Sequence, residues 1–132
     1  MDISLISINK ASGQIEWAGA FNPLYIIRSN GDFDEITADK QPVGKFFKTE
    51  SFTNHVVNVS KGDILYLFTD GFVDQFGGKN GKKYKYGPFK KLLTDISKHP
   101  FKEQKQLLNV EFDRWRGELD QIDDVCIMGI LV

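Results

Sequence analysis

The chain has 132 residues, enough for one compact domain with a single core and too few for two ordinary ones. Its 41% apolar, 13% aromatic and 27% charged residues exclude a disordered tail, a collagen or a coiled coil. With 17 basic and 18 acidic side chains the formal net charge is −1, so no surface is built throughout for nucleic acid or anionic lipid, and any basic site is local.

In chain order, strands come first. Residues 3–8 form a short run of Ile, Leu and Ser, a turn-like stretch follows at 9–13, and residues 14–18 alternate so that Ile15 and Trp17 share a face. The two runs predict a hairpin. Pro23 opens a third run at 24–28, and Asn30-Gly31 offers positive φ angles for a tight turn before residues 33–36, a second hairpin. Residues 37–48 have no period and contain Pro42 and Gly44, which predicts a loop. Runs at 52–59 and 64–69 flank Ser60-Lys61-Gly62-Asp63, and the second is apolar on both faces except for Tyr66, the pattern of a central strand.

The composition then changes. Residues 77–83 are rich in glycine and lysine and predict a surface loop. Phe89, Leu92, Leu93 and Ile96 fall at i, i+3, i+4 and i+7, an amphipathic helix that opens near Pro88 and stops before Pro100. A second helix is expected over 102–116, with Leu107, Leu108, Phe112 and Trp115 on one face and Gly117 ending it. A last strand at 125–132 closes the chain.

Two acidic sites stand at the ends of apolar strands, where a carboxylate is a costly neighbour for a core. Asp70 ends the run 64–69 and precedes Gly71, and Asp123-Asp124 opens the final strand. If these strands pair antiparallel, the end of one meets the start of the other and three carboxylates converge. Such a cluster repels itself unless a hard cation lies inside it, and carboxylate oxygens suit Mg²⁺ or Mn²⁺. On spacing alone a plainer account is favoured, because Asp-Gly pairs mark turns far more often than metals and an acidic pair can simply cap a loop.

A wider pattern bears on that choice. The ordered series Ile15-Glu16-Trp17-Ala18-Gly19-Ala20-Phe21-Asn22-Pro23-Leu24-Tyr25, Pro42-Val43-Gly44, the run from Lys61-Gly62-Asp63 to Thr69-Asp70-Gly71, and the late Asp123-Asp124 covers nearly the whole chain. It resembles the C-terminal half of the SpoIIE-like, type 2C-related, metal-dependent serine/threonine phosphatases. The resemblance implies an α/β fold of α+β type, with antiparallel sheets in a sandwich flanked by helices, and hydrolysis of a phosphate monoester by water held between two Mn²⁺ or Mg²⁺ ions. By position it makes Asp70 and Asp123 metal ligands, with Asp124 a further one, and Gly71 and Asp74 supporting residues; a helix N-terminal charge explains Asp74 as well.

The same family carries an upstream Asp-containing tract with a Gly-His-Gly segment, and nothing like it occurs here. Residues 1–132 are therefore expected to be one domain, the C-terminal portion of a phosphatase domain that lacks its N-terminal motif. Met1 would then be an internal start behind a sensory region, and this piece inactive alone. By resemblance the substrate is a phosphorylated regulator such as an anti-sigma-factor antagonist. The alternative is a non-catalytic interaction module that binds a signalling partner.

Weaker signals point to structure. Lys79, Lys82, Lys83, Lys85, Lys90 and Lys91, interleaved with Tyr84 and Tyr86, read as a solvated face rather than a nucleic-acid site. His55 and His99 have no second ligand at metal spacing. Trp17 and Trp115 read as core anchors and Cys126 as a small buried side chain. The lone cysteine fits a reducing compartment, no apolar run approaches membrane-spanning length, and no targeting segment is visible, so the expected location is the cytoplasm without membrane contact.

Overall fold

The computed structural model describes residues 1–45, 47 and 50–132. The chain forms two compact units, Met1–Phe68 with Met128–Val132, and Thr69–Ile127. Length alone predicts one core; each unit has its own buried cluster.

In the first unit, β1 (Ile3–Ile8) and β2 (Ile15–Ala20) form the expected hairpin, with Ile6 opposite Trp17 and Ile8 opposite Ile15. Its turn is held by Asn9 Oδ1, which accepts from the N–H groups of Ala11 and Ser12 at 3.0 and 3.1 Å. β5 (His55–Val57) pairs with the other edge of β2 and completes a three-stranded sheet. A four-stranded sheet runs in the order β4 (Phe33–Ile36), β3 (Leu24–Ile27), β6 (Ile64–Phe68), β9 (Ile127–Leu131). Ile15, Trp17 and Val57 of the first sheet pack with Leu24, Ile26, Leu65 and Leu67 of the second in one cluster, so the sheets are layered face to face. β6 lies between β3 and β9 and is buried on both faces, as its unbroken apolar run predicts.

The second unit holds the single-turn helix α1 (Gly71–Asp74), the short strands β7 (Phe76–Gly77) and β8 (Lys82–Lys83), and the helices α2 (Tyr86–Ile96) and α3 (Phe101–Arg116). Its core is aromatic: the Phe72 ring lies 5.0 Å from Tyr84 and 5.1 Å from both Phe89 and Phe112. α2 buries Phe89, Leu93 and Ile96 of the expected stripe and leaves Leu92 half-buried, and Gly117 ends α3 at φ 57°.

Several expectations need correction. Asn30 keeps a negative φ and only Gly31, at 92°, is left-handed, because Arg28 N–H bonds Asp32 O and leaves a three-residue loop instead of a two-residue turn. Residues 77–83 include strand pairing, Phe76 with Lys83 and Gly77 with Lys82, so the glycine and lysine run is a small hairpin. β5 is shorter than 52–59 because Asp39 binds the Thr53 N–H and hydroxyl ahead of it. The expected face of α3 is only partly covered: Leu107 is 37% exposed and Gln104 is the helix's buried residue. β9 begins at Ile127, not at residue 125, because the Thr69 hydroxyl takes Asp124 O and Cys126 N–H and in this segment only Cys126 O is met by a backbone N–H among the described residues; Cys126 is exposed. The loop expected at 37–48 includes Phe46 and Lys48, which lie outside the described residues; Asp39 within it forms a parallel bridge with Ala20. No helix among the described residues is long and apolar enough to cross a membrane.

Candidate functional site at the Asp70 turn

Asp70 follows the central strand by two positions and caps α1, its carbonyl accepting from Asp74 N–H at 2.9 Å. The residue before it makes the decisive contacts. Thr69 N–H donates to Cys126 O at 3.0 Å, the Thr69 hydroxyl donates to Asp124 O at 2.8 Å, and the Thr69 Oγ1 accepts from Cys126 N–H at 3.0 Å. The antiparallel meeting of the two acidic motifs is thus made by one threonine. Gly71 is required by the same approach: a Cβ there would collide with the Asp124 carbonyl and stand 3.2 Å from Val125 Cγ2.

The carboxyl groups are arranged differently from the backbones. Asp70 is half-buried, whereas Asp123 and Asp124 are exposed. Asp123 Oδ1 accepts from Asp124 N–H at 2.7 Å, and Asp123 O accepts from Gln121 Nε2 at 2.8 Å, so the pair is locked in a local turn. Among the described residues no three Asp, Glu, His or Cys side chains form a group that could hold a metal ion. The motifs meet, but their three carboxylates do not form one such cluster. Asp74 is the acidic residue of the single turn of α1, as a helix N-terminal charge would be, and it also pairs with Lys83 at 3.1 Å.

Gln75 is the residue that the sequence reading passed over. It is fully buried, and its Nε2 donates to Phe76 O at 3.0 Å and to Asp120 O at 2.9 Å. Its carbonyl accepts from Tyr84 N–H at 3.0 Å and from Trp115 Nε1 at 2.9 Å. A glutamine between Asp74 and Phe76 looks like surface; the only sequence signal is its place directly after a one-turn helix.

His55 is half-buried with its ring 5.5 Å from Trp17, and His99 Nδ1 lies 3.0 Å from Glu103. Lys79, Lys82, Lys83 and Lys85 are exposed.

A family profile described as Stage II sporulation protein E (SpoIIE) matches residues 1–132. The chain belongs to the SpoIIE family. No curated protein matches it. Among solved structures, the SiaA-PP2C domain of Pseudomonas aeruginosa is similar at 29% identity and TM-score 0.89, over 99% of this chain and 51% of that one. The PP2C phosphatase domain with a fragment of the regulatory domain of the cell fate determinant SpoIIE from Bacillus subtilis is similar at 18% identity and TM-score 0.77, over 99% of this chain and 37% of that one. The manganese-presoaked phosphatase domain of the same protein gives 18% and 0.71, over 100% and 56%. The SpoIIE-family chain therefore has the mixed fold of these phosphatase domains, and it spans about half the length of the SiaA-PP2C domain.

Proposed function

We propose that this chain is part of a metal-dependent protein serine/threonine phosphatase and carries one side of its metal site, with Asp70 and Asp123 as ligands and Asp124 beside them. The observation that carries the reading is the Thr69 hydroxyl between Asp124 O and Cys126 N–H, which holds the two acidic motifs together in a SpoIIE-family fold. Carboxylates with nearby backbone carbonyls are the oxygen donors that Mg²⁺ and Mn²⁺ prefer. They fit such an ion as a partial set, the remaining ligands coming from outside this chain.

A divalent ion bound there would lower the pKa of a coordinated water and offset phosphoryl charge. The chain's own part is to hold the Asp70 turn and the Asp123 segment at a set separation, with Gly71 keeping the approach close. The substrate on this reading is a phosphoserine or phosphothreonine of a signalling regulator, an anti-sigma-factor antagonist among the candidates, in the cytoplasm.

The test is Mn²⁺-dependent hydrolysis of a phosphoserine peptide by a polypeptide in which this chain is joined to the other half of a SpoIIE-family phosphatase domain. Asp70→Asn and Asp123→Asn should each lower kcat by at least about a hundred-fold, as expected for loss of a metal ligand's charge at a phosphoryl-transfer centre. Unchanged hydrolysis in both variants would refute the ligand assignment. No hydrolysis in the parent would favour a non-catalytic interaction module.

A further inference from the structure

We infer that Thr69 and Gln75 are a pair of positioning residues that clamp the acidic segment 120–126 at both ends against the Asp70 turn. The inference rests on the metal reading above and adds two residues to it. They flank Asp70, one directly before it and one directly after α1. Thr69 holds the far end of the segment, at Asp124 O (2.8 Å) and Cys126 N–H (3.0 Å). Gln75 holds the near end, at Asp120 O (2.9 Å). Asp123 lies between these two anchors, so its distance from Asp70 is set by both.

The chemistry of each residue suits the task. A hydroxyl both donates and accepts, and Thr69 uses one oxygen for both. Valine has the same shape and can do neither. The Gln75 amide is fully buried, and its Nε2 faces two carbonyls, which fixes the amide orientation. Its Oε1 is buried with no hydrogen-bond partner among the described residues. Burying a primary amide with half its capacity unused is unfavourable unless the other half has a task. That task is the Asp120 carbonyl, 45 residues away in sequence. The Gln75 carbonyl is itself held by Trp115 Nε1 and Tyr84 N–H, so the near anchor is mounted on α3 and on the residue after β8.

The clamp can be tested by backbone amide NMR on the polypeptide in which this chain is joined to the other half of a SpoIIE-family phosphatase domain, with Mn²⁺ ions as a paramagnetic probe and Thr69→Val, Thr69→Ser, Gln75→Leu and Asp70→Asn as variants. In the wild type, the amide signals of Gly71 and Asp124 should broaden together over one range of Mn²⁺ concentration. In Thr69→Val and Gln75→Leu that range should rise by about five-fold, the factor that one lost hydrogen bond supplies, and amide exchange in 121–126 should accelerate. Thr69→Ser, which keeps the hydroxyl, should restore the wild-type range. Unchanged exchange of the Phe89 and Leu93 amides of α2, in the same unit, shows that each variant is folded. If Asp70→Asn abolishes the broadening while Thr69→Val and Gln75→Leu keep the wild-type range, the clamp is overturned and the metal reading stands. If the wild type shows no broadening, or Asp70→Asn leaves it unchanged, the metal reading is overturned and the clamp's role in it falls too.

Discussion

At the scale of single residues, a buried polar anchor lies away from the Asp70 turn, at Asp63. Its side chain is 1% exposed on a residue basis and accepts from Ser29 N–H, Ser60 N–H and Arg28 Nη1, each at 2.9 Å. Burial pushes this carboxyl up, but the Ser60 and Ser29 amides and the Arg28 guanidinium outweigh burial and hold it below the usual carboxylate range. A folded value below the unfolded one means that the stabilisation is complete above the unfolded value and is lost as pH falls through the folded one. Asp63→Asn should therefore cost about 2 kcal/mol at pH 7, the scale of hydrogen bonds to a charged group. The gap between wild type and variant in urea unfolding should shrink as pH is lowered below the usual carboxylate range. A gap of the same size throughout would mean that packing, not the carboxylate charge, is what Asp63 provides.

At the scale of elements, the hairpin β7–β8 is tied to α3 by one side chain. Gly77 and Gly78 lie directly against Trp115, so that a Cβ on Gly78 would stand 2.8 Å from the ring, and Gly78 N–H donates to Trp115 O at 2.9 Å. Trp115 Nε1 returns a bond to Gln75 O. Trp115→Phe keeps most of the ring and removes that donor, leaving a buried carbonyl with one partner fewer. It should cost about 1 kcal/mol and speed amide exchange at Tyr84 and Gly78, with α2 amides unaffected. Equal acceleration along α2 would show that Trp115 supports the whole unit instead of the hairpin alone. The same elements show what was legible beforehand. Strands β2 and β6 were readable because alternation at Ile15 and Trp17, and its absence at 64–69, report directly how many faces are buried. The two acidic motifs were readable as neighbours because an antiparallel pair brings opposite ends together. Gln75 and Cys126 were not, since their environments are set by partners 45 and 57 residues away and no local period carries that information. The hairpin at 76–83 escaped for a related reason: its strands are two residues long, too short for any alternation to register.

At the scale of the molecule, one sheet face remains apolar and open. In the register of β1, β2 and β5, Leu5 stands opposite Ala18 and Val56 opposite Glu16, so these side chains share the face turned away from Ile6 and Trp17. Leu5 is 61% exposed and Val56 57%, and Ile3, opposite Ala20, extends the same surface. The edges of this sheet are β1 and β5, both without a further strand partner in the sheet among the described residues. An apolar face beside open edges favours association in water, because burying it removes apolar surface and pairing an edge satisfies backbone groups at once. The isolated chain should therefore show concentration-dependent association by sedimentation equilibrium. Leu5→Glu with Val56→Glu should shift it toward monomer, since an association that buries this face would have to desolvate two added carboxylates. Because both positions face solvent, the substitutions should change thermal stability little, by about 0.5 kcal/mol or less each. Unchanged association in the double variant would move the contact to the strand edges, where a proline in β1 at Ile8, whose N–H points away from β2 in this register, would be expected to weaken it instead.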